Sequence, residues 1–81
     1  MTILLFGITK DIVGQPTLSL SHSEAQGLHT AGELKEFLKD NYPDMKKLSS
    51  LAVAVNSEYA QDEHAIKEED EIAIIPPVSG G

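Results

Sequence analysis

Near its end the chain carries a four-residue apolar run, Ile72 to Ile75, followed at once by two prolines, Pro76 and Pro77. No other stretch limits the fold so sharply. Neither proline can donate an amide hydrogen to a ladder and both fix φ, while Ile75, standing before a proline, is held extended. The run therefore reads as a final buried strand that stops at Ile75. Beyond it, Pro76 to Gly81 reads as an extended tail in which Val78 is the single apolar anchor. Gly80 and Gly81 lack a Cβ, so ordering them is entropically expensive and adds nothing to a core. What they offer is a narrow profile. At ~3.3 Å per residue, Pro76 to Gly81 would span roughly 20 Å, enough to bring the Gly81 carboxylate into a partner's pocket. The expected division is a domain over residues 1–75 and a reactive tail over 76–81. In that tail Pro76, Pro77, Val78, Ser79 and Gly80 bind partners, and the Gly81 carboxylate is the reactive group.

The rest of the chain must build a sheet around that strand. Ile3, Leu4, Leu5, Phe6 and Ile8 make a short apolar run within Thr2 to Ile8, as expected of a strand covered on both faces, with Phe6 in the core. Gly7 marks a bulge or a close backbone approach, or is a neutral strand residue. Thr9 to Gly14 reads as a turn with Ile12 and Val13 packed inward. Pro16 to Ser21 alternates, with Leu18 and Leu20 on one face, and pairs with the first strand as a hairpin. His22 to His29 reads as a polar loop.

Thr30 opens the main helix, because its hydroxyl and the Glu33 side chain can satisfy each other's backbone amides as a capping box. Leu34, Phe37 and Leu38 share a stripe that must cover a sheet. Gly32, in the first turn, costs up to about 1 kcal/mol relative to alanine, so packing must hold this helix. Pro43 stops it, and Tyr42, Met45 and Leu48 extend the core through an irregular turn. Leu51 to Asn56 reads as a strand with Leu51, Val53 and Val55 on one face. Ala52 and Ala54 lie on the other, where a helix or a partner could come close. Asn56 to Glu58 carries turn chemistry, and Tyr59 is expected to be a half-buried anchor. One helix across such a set of strands is an α+β roll. If the first and last strands are central and parallel, the roll is a β-grasp; patterning alone leaves a ferredoxin-like half or another α/β roll open.

Composition narrows the chemistry. With 81 residues there is room for one modest core. There is no cysteine, so any sulfur chemistry must use sulfur brought from elsewhere. Thirteen acidic residues against six lysines give a net charge of −7, which excludes a nucleic-acid binder and suits a basic protein partner or plain solubility. His22, His29 and His64 lack the spacing of a metal site, and the acidic residues between Asp62 and Glu71 lack that of a calcium loop. No segment approaches 18 apolar residues and no basic leader precedes the first strand, so no membrane contact and a cytoplasmic location are expected.

Pro76-Pro77-Val78-Ser79-Gly80-Gly81 resembles the C-terminal motif of the small, sulfur-carrying subunit of molybdopterin synthase, the MoaD family. Three further stretches are similar to that family in the same order: Leu4-Leu5-Phe6 leading to Lys10 through Gly14, Ala52 through Asn56 with Glu58-Tyr59, and Asp70 through Pro77. The family usually has alanine and arginine at the positions of Gly7 and Lys10, and glycine at that of Glu69. The resemblance covers essentially the whole chain and implies a β-grasp, ubiquitin-like roll, a mixed sheet under one main helix with a protruding tail.

It also implies a route. An adenylating enzyme uses ATP to form an acyl-adenylate on Gly81, and the persulfide of a sulfur donor protein displaces AMP to leave a thiocarboxylate. The tail then enters the large synthase subunit, where the sulfur attacks cyclic pyranopterin monophosphate. One dithiolene needs two sulfurs, hence two charged small subunits and a heterotetramer. On this implication the chain binds no stable cofactor and is the non-catalytic sulfur donor of a sulfurtransferase complex. A sulfur carrier for thiazole synthesis and a ubiquitin-like protein modifier share the fold and the Gly-Gly end and stand as alternatives, as does a purely structural interaction module.

Overall fold

The strand before the prolines sits in the middle of a five-stranded sheet. In the computed structural model, which describes residues 1–48 and 50–77, β1 (Thr2–Leu5), β2 (Thr17–Ser19), β3 (Ala52–Val55), β4 (Glu58–Ala60) and β5 (Ile72–Ile75) lie in the order β2-β1-β5-β3-β4. β5 runs parallel to β1 and antiparallel to β3. The expected central, parallel first and last strands are therefore present, and the alternating β2 takes an edge. Three helices, α1 (Ile8–Val13), α2 (His22–Gln26) and α3 (Ala31–Asn41), and a 3-10 turn at Pro43–Lys47 complete the α+β roll.

Register explains the core. Ile3 lies opposite Ile72 and Leu5 opposite Ile74, while Val53 and Val55 meet Ile74 and Ile72 from the other side. All six are buried, and Leu34, Leu38 and Met45 pack with them in one cluster and are also fully buried. Burying one such side chain stabilises the fold by about 1.5–3 kcal/mol, so this cluster holds the sheet to α3.

The sheet is covered on this face only, which corrects several sequence expectations. β1 stops at Leu5 instead of reaching Ile8, and Phe6 and Ile8 are 49% and 46% exposed rather than in the core. A strand's period of two sends Leu4 and Phe6 to the face opposite Ile3 and Leu5, so an unbroken apolar run need not mean two covered faces. Tyr59, expected half-buried, is 75% exposed because β4 is an edge strand and its row lies on the open face. The turn expected over Thr9 to Gly14 is α1, ended by Gly14 at φ 91° with its amide on the Lys10 carbonyl at 2.8 Å. The loop expected over His22 to His29 contains α2, opened by a Ser21–Glu24 capping box.

The start of α3 is as expected. The Glu33 amide donates to the Thr30 hydroxyl, and the Thr30 amide to the Glu33 carboxylate, each at 3.2 Å. The next two amides are satisfied from outside the helix: Ala31 donates to the His64 carbonyl at 3.0 Å and Gly32 to that of Asp62 at 2.9 Å. Gly32 permits this approach. A Cβ there would stand 3.0 Å from the Asp62 Cβ and 3.1 Å from its carbonyl oxygen. Helix propensity alone predicts that Gly32→Ala stabilises by up to about 1 kcal/mol. Crowding against this backbone reverses the sign, and thermal melts are expected to show a loss of about 1–3 kcal/mol; a raised Tm would contradict the packing argument.

Candidate functional site

The open face of the sheet carries a cross-strand row. Leu4 on β1 lies opposite Ala73 on β5, Ala73 opposite Ala54 on β3, and Ala54 opposite Tyr59 on β4. Two methyl side chains in the middle leave a floor, with Leu4 on one side and Tyr59 on the other. Phe6 and Ile75 carry the lining toward the tail, and the resulting trough holds about 310 Å³. Large exposed aromatics beside an apolar hollow are the features of a protein-docking surface, which makes this face the candidate site. Ile75 continues directly into Pro76, so the trough lies at the foot of the tail.

Pro76 and Pro77 are partly buried. The Pro76 ring lies over Gly7, where a Cβ would come within 3.0 Å of the Pro76 Cγ, and Gly7 holds φ 56°, a conformation that favours glycine. Of the readings of Gly7 as a bulge, a close approach or a neutral strand residue, close approach is the one observed, and Gly7 lies beyond the end of β1. Val78, Ser79, Gly80 and Gly81 lie outside the described residues. The structure thus brings two of the expected site residues, Pro76 and Pro77, to the end of the trough.

Sequence reasoning missed Phe6 and Tyr59 as surface residues. The signal was present for Ala54, whose small size at that face suggested that a partner could come close. For Phe6 it was the strand period: counting by two from Ile3 and Leu5 leaves Phe6 out of the core set.

The far end of the trough reaches Ser57 and Glu71. Asn56 and Ser57 turn the β3–β4 hairpin with φ 52° and 71°, both left-handed, the two-residue geometry that matches strand twist. Side chains lock this turn to the start of β5. Asn56 donates to the Asp70 carboxylate at 3.1 Å and accepts the Glu71 amide at 3.0 Å, while the Lys67 amide donates to Asp70 at 2.8 Å. The Lys67 amide above all, then the Asn56 side chain, hold the Asp70 carboxyl below the usual carboxylate range. The ionised form is the one bound, so its contribution is complete above the ordinary carboxylate pKa of 3.8 and is lost as pH falls through the lower folded value. Between about pH 5 and pH 2 the wild-type Tm is expected to fall further than that of Asp70→Asn; parallel melting curves across that range would rule the clamp out.

A wider depression of about 760 Å³ lies on the helical layer, lined by charged residues of α3 such as Glu33, Glu36 and Lys39, with Lys35 paired to Asp62. It is separate from the trough, since α3 packs on the other face of the sheet. Among the described residues no group of His, Cys, Asp or Glu is placed to hold a metal ion, and no helix is long and apolar enough to cross a membrane.

The model of the ThiS family matches residues 3–81, a span that includes the trough and the whole tail. The chain belongs to the ThiS family. It is similar to the molybdopterin synthase sulfur carrier subunit of Arabidopsis thaliana, with 34% identity over 80 residues, 98% of this chain and 80% of that one. The subunit of the same name from Dictyostelium discoideum is 38% identical over 82 residues, 98% of this chain and 93% of the relative. Among solved structures, the small archaeal modifier protein 1 (SAMP1) from Methanosarcina acetivorans superposes with a TM-score of 0.75 at 26% identity, covering 99% of this chain and 94% of that one. Sheet order and family likeness agree on the β-grasp, ubiquitin-like roll.

Proposed function

We propose that this chain is the sulfur-carrier subunit of a molybdopterin synthase and that Gly81 is its reactive end. One observation carries the reading: in a chain so similar to sulfur carrier subunits, an apolar trough lies at the foot of the Pro-Pro tail. A partner that covers the trough receives the tail in a fixed direction. The large synthase subunit is that partner, in a heterotetramer with two carriers, and the adenylating enzyme uses the same end of the molecule.

The chemistry fits what the chain lacks. It has no cysteine to bring sulfur, and a free carboxylate is a poor electrophile. Adenylation by the partner converts one carboxylate oxygen of Gly81 into part of an AMP leaving group with release of pyrophosphate. A donor persulfide then displaces AMP to form an acyl disulfide, and a second thiol, supplied by the partner proteins because this chain has no cysteine, cleaves its S–S bond to leave the Gly81 thiocarboxylate and a disulfide on the donor side. Pro76 and Pro77 set the direction of the tail, Val78 anchors it, and Ser79 and Gly80 pass a narrow channel. The chain itself holds no cofactor and supplies no catalytic base; it presents the thiocarboxylate while the large subunit works on the pterin. The net charge of −7 favours encounter with basic partner surfaces. A cytoplasmic location goes with this reading.

The test is intact-mass spectrometry after incubation with the adenylating enzyme, ATP and a persulfide donor, followed by transfer to the large subunit. The expected result is exchange of one oxygen for sulfur, localised to Gly81 by fragmentation, and dithiolene product on transfer. A chain that never takes up sulfur would overturn the proposal, and one that takes it up but yields no dithiolene would belong to another pathway, such as thiazole synthesis. A second reading, protein modification through the same activated glycine, is supported by the likeness to a protein named a modifier. Conjugates between Gly81 and lysines in the same assay would identify it.

A further inference from the structure

Among the described residues Thr9 is the one buried polar side chain. Valine would fill the same space without a hydroxyl to desolvate, so packing alone gives no reason for threonine. Nor does the hydroxyl cap α1, whose N-cap, Gly7, makes no side-chain hydrogen bond. Both of its bonds go to Phe6. It accepts the Phe6 amide at 3.1 Å and donates to the Phe6 carbonyl oxygen, which also accepts the Thr9 amide at 3.2 Å. Phe6 lies one residue beyond β1, past the last ladder pair at Leu5, where nothing else in the sheet would fix its backbone. Tying down both of its main-chain polar groups fixes the direction of its Cα–Cβ bond, and so the point from which its ring, 49% exposed, projects at the Pro76 end of the trough.

We infer that Thr9 is a positioning residue for docking: its buried hydroxyl holds Phe6 as a preformed wall of the trough, next to the point where the tail leaves. This rests on the trough being the docking face for the large subunit. The same turn supports the tail, because Pro76 lies over Gly7. Phe6 and the tail base are therefore set in register by one four-residue segment, and a partner that recognises Phe6 finds the tail already aimed. Holding a contact residue in its bound pose before encounter removes an ordering cost from binding.

The experiment compares the full chain with Thr9→Val, Thr9→Ser, Phe6→Ala and the Thr9→Val/Phe6→Ala double variant. Each is assayed for binding to the purified large subunit and for turnover at saturating partner. Thr9→Val is expected to weaken binding by about five- to tenfold, mainly through faster dissociation, with saturated turnover unchanged. Thr9→Ser, which keeps the hydroxyl, is expected to bind like wild type. In the Phe6→Ala background, Thr9→Val should change affinity by less than about twofold, because a residue acting through Phe6 has nothing left to position. In the free protein, hydrogen exchange at the Phe6 amide should speed up in Thr9→Val and stay slow in Thr9→Ser. Should Thr9→Val not fold, Thr9→Ala takes its place in the cycle. Equal losses with and without Phe6, or wild-type binding by the hydroxyl-free variants, would overturn the inference. If Phe6→Ala binds as tightly as wild type, the docking face is wrong and the inference falls with it, a result distinct from a failed cycle on a working Phe6.

Discussion

A chain ending at Gly80 is expected to melt where the full chain melts and to deliver no sulfur. Among the described residues the core ends at Ile74, so removing Gly81 takes away no apolar contact named in the fold. It does withdraw the carboxylate by one residue, about 3.3 Å along an extended tail. That is the whole of a near-attack distance of about 3–3.5 Å, and even ~1 Å of misplacement can cost about 100-fold in rate. Adenylation and sulfur delivery should both fall below detection, measured by single-turnover dithiolene formation beside far-UV circular dichroism melts. Normal product from the shortened chain would show that Gly81 is not the reactive residue.

Truncating both exposed aromatics of the trough, Phe6→Ala with Tyr59→Ala, should have the next largest effect. Anchor residues of this kind each contribute about 2 kcal/mol or more to an interface, roughly 30-fold in affinity. They share one hollow, so strict additivity is not expected, and the pair should weaken binding to the large subunit by about 100- to 1,000-fold. Tyr59 is 75% exposed and Phe6 about half exposed, so stability should move by only about 1–2 kcal/mol, far less than the change in affinity. Calorimetric titration against the large subunit decides between this face and the charged depression on α3: undiminished affinity would move the docking surface to the helical layer.

What the sequence made legible were features whose physics is local. Pro76 and Pro77 stop a strand wherever it lies in the fold, and Thr30 with Glu33 caps a helix through atoms three residues apart, so both were read correctly. The capping pair Ser21–Glu24 was just as local. It does not stand out as a helix start because Ala25, Gln26 and Gly27 supply no apolar stripe after it, and α2 is only five residues long. Phe6 shows the limit of patterning. Five apolar residues among seven suit a strand buried on both faces and equally one whose second face awaits a partner. Only the position of α3, on a single side of the sheet, separates the two. Gly32 is similar: its cost within the helix could be read, but the approach of Asp62 from thirty residues away could not.

β5 is bonded on both sides, to β1 through Ile72–Ile74 and to β3 along its full length, and the chain passes from it directly into Pro76 and Pro77. Traction applied along the axis of β5 therefore loads two ladders in shear. Bonds that run across the strand share that load and must yield together, whereas an outer strand such as β2 or β4 could peel away one bond at a time. The sheet order thus has a mechanical meaning. A pull along β5 meets both neighbouring ladders at once, so the chain end that this innermost strand carries can bear load without unravelling the sheet.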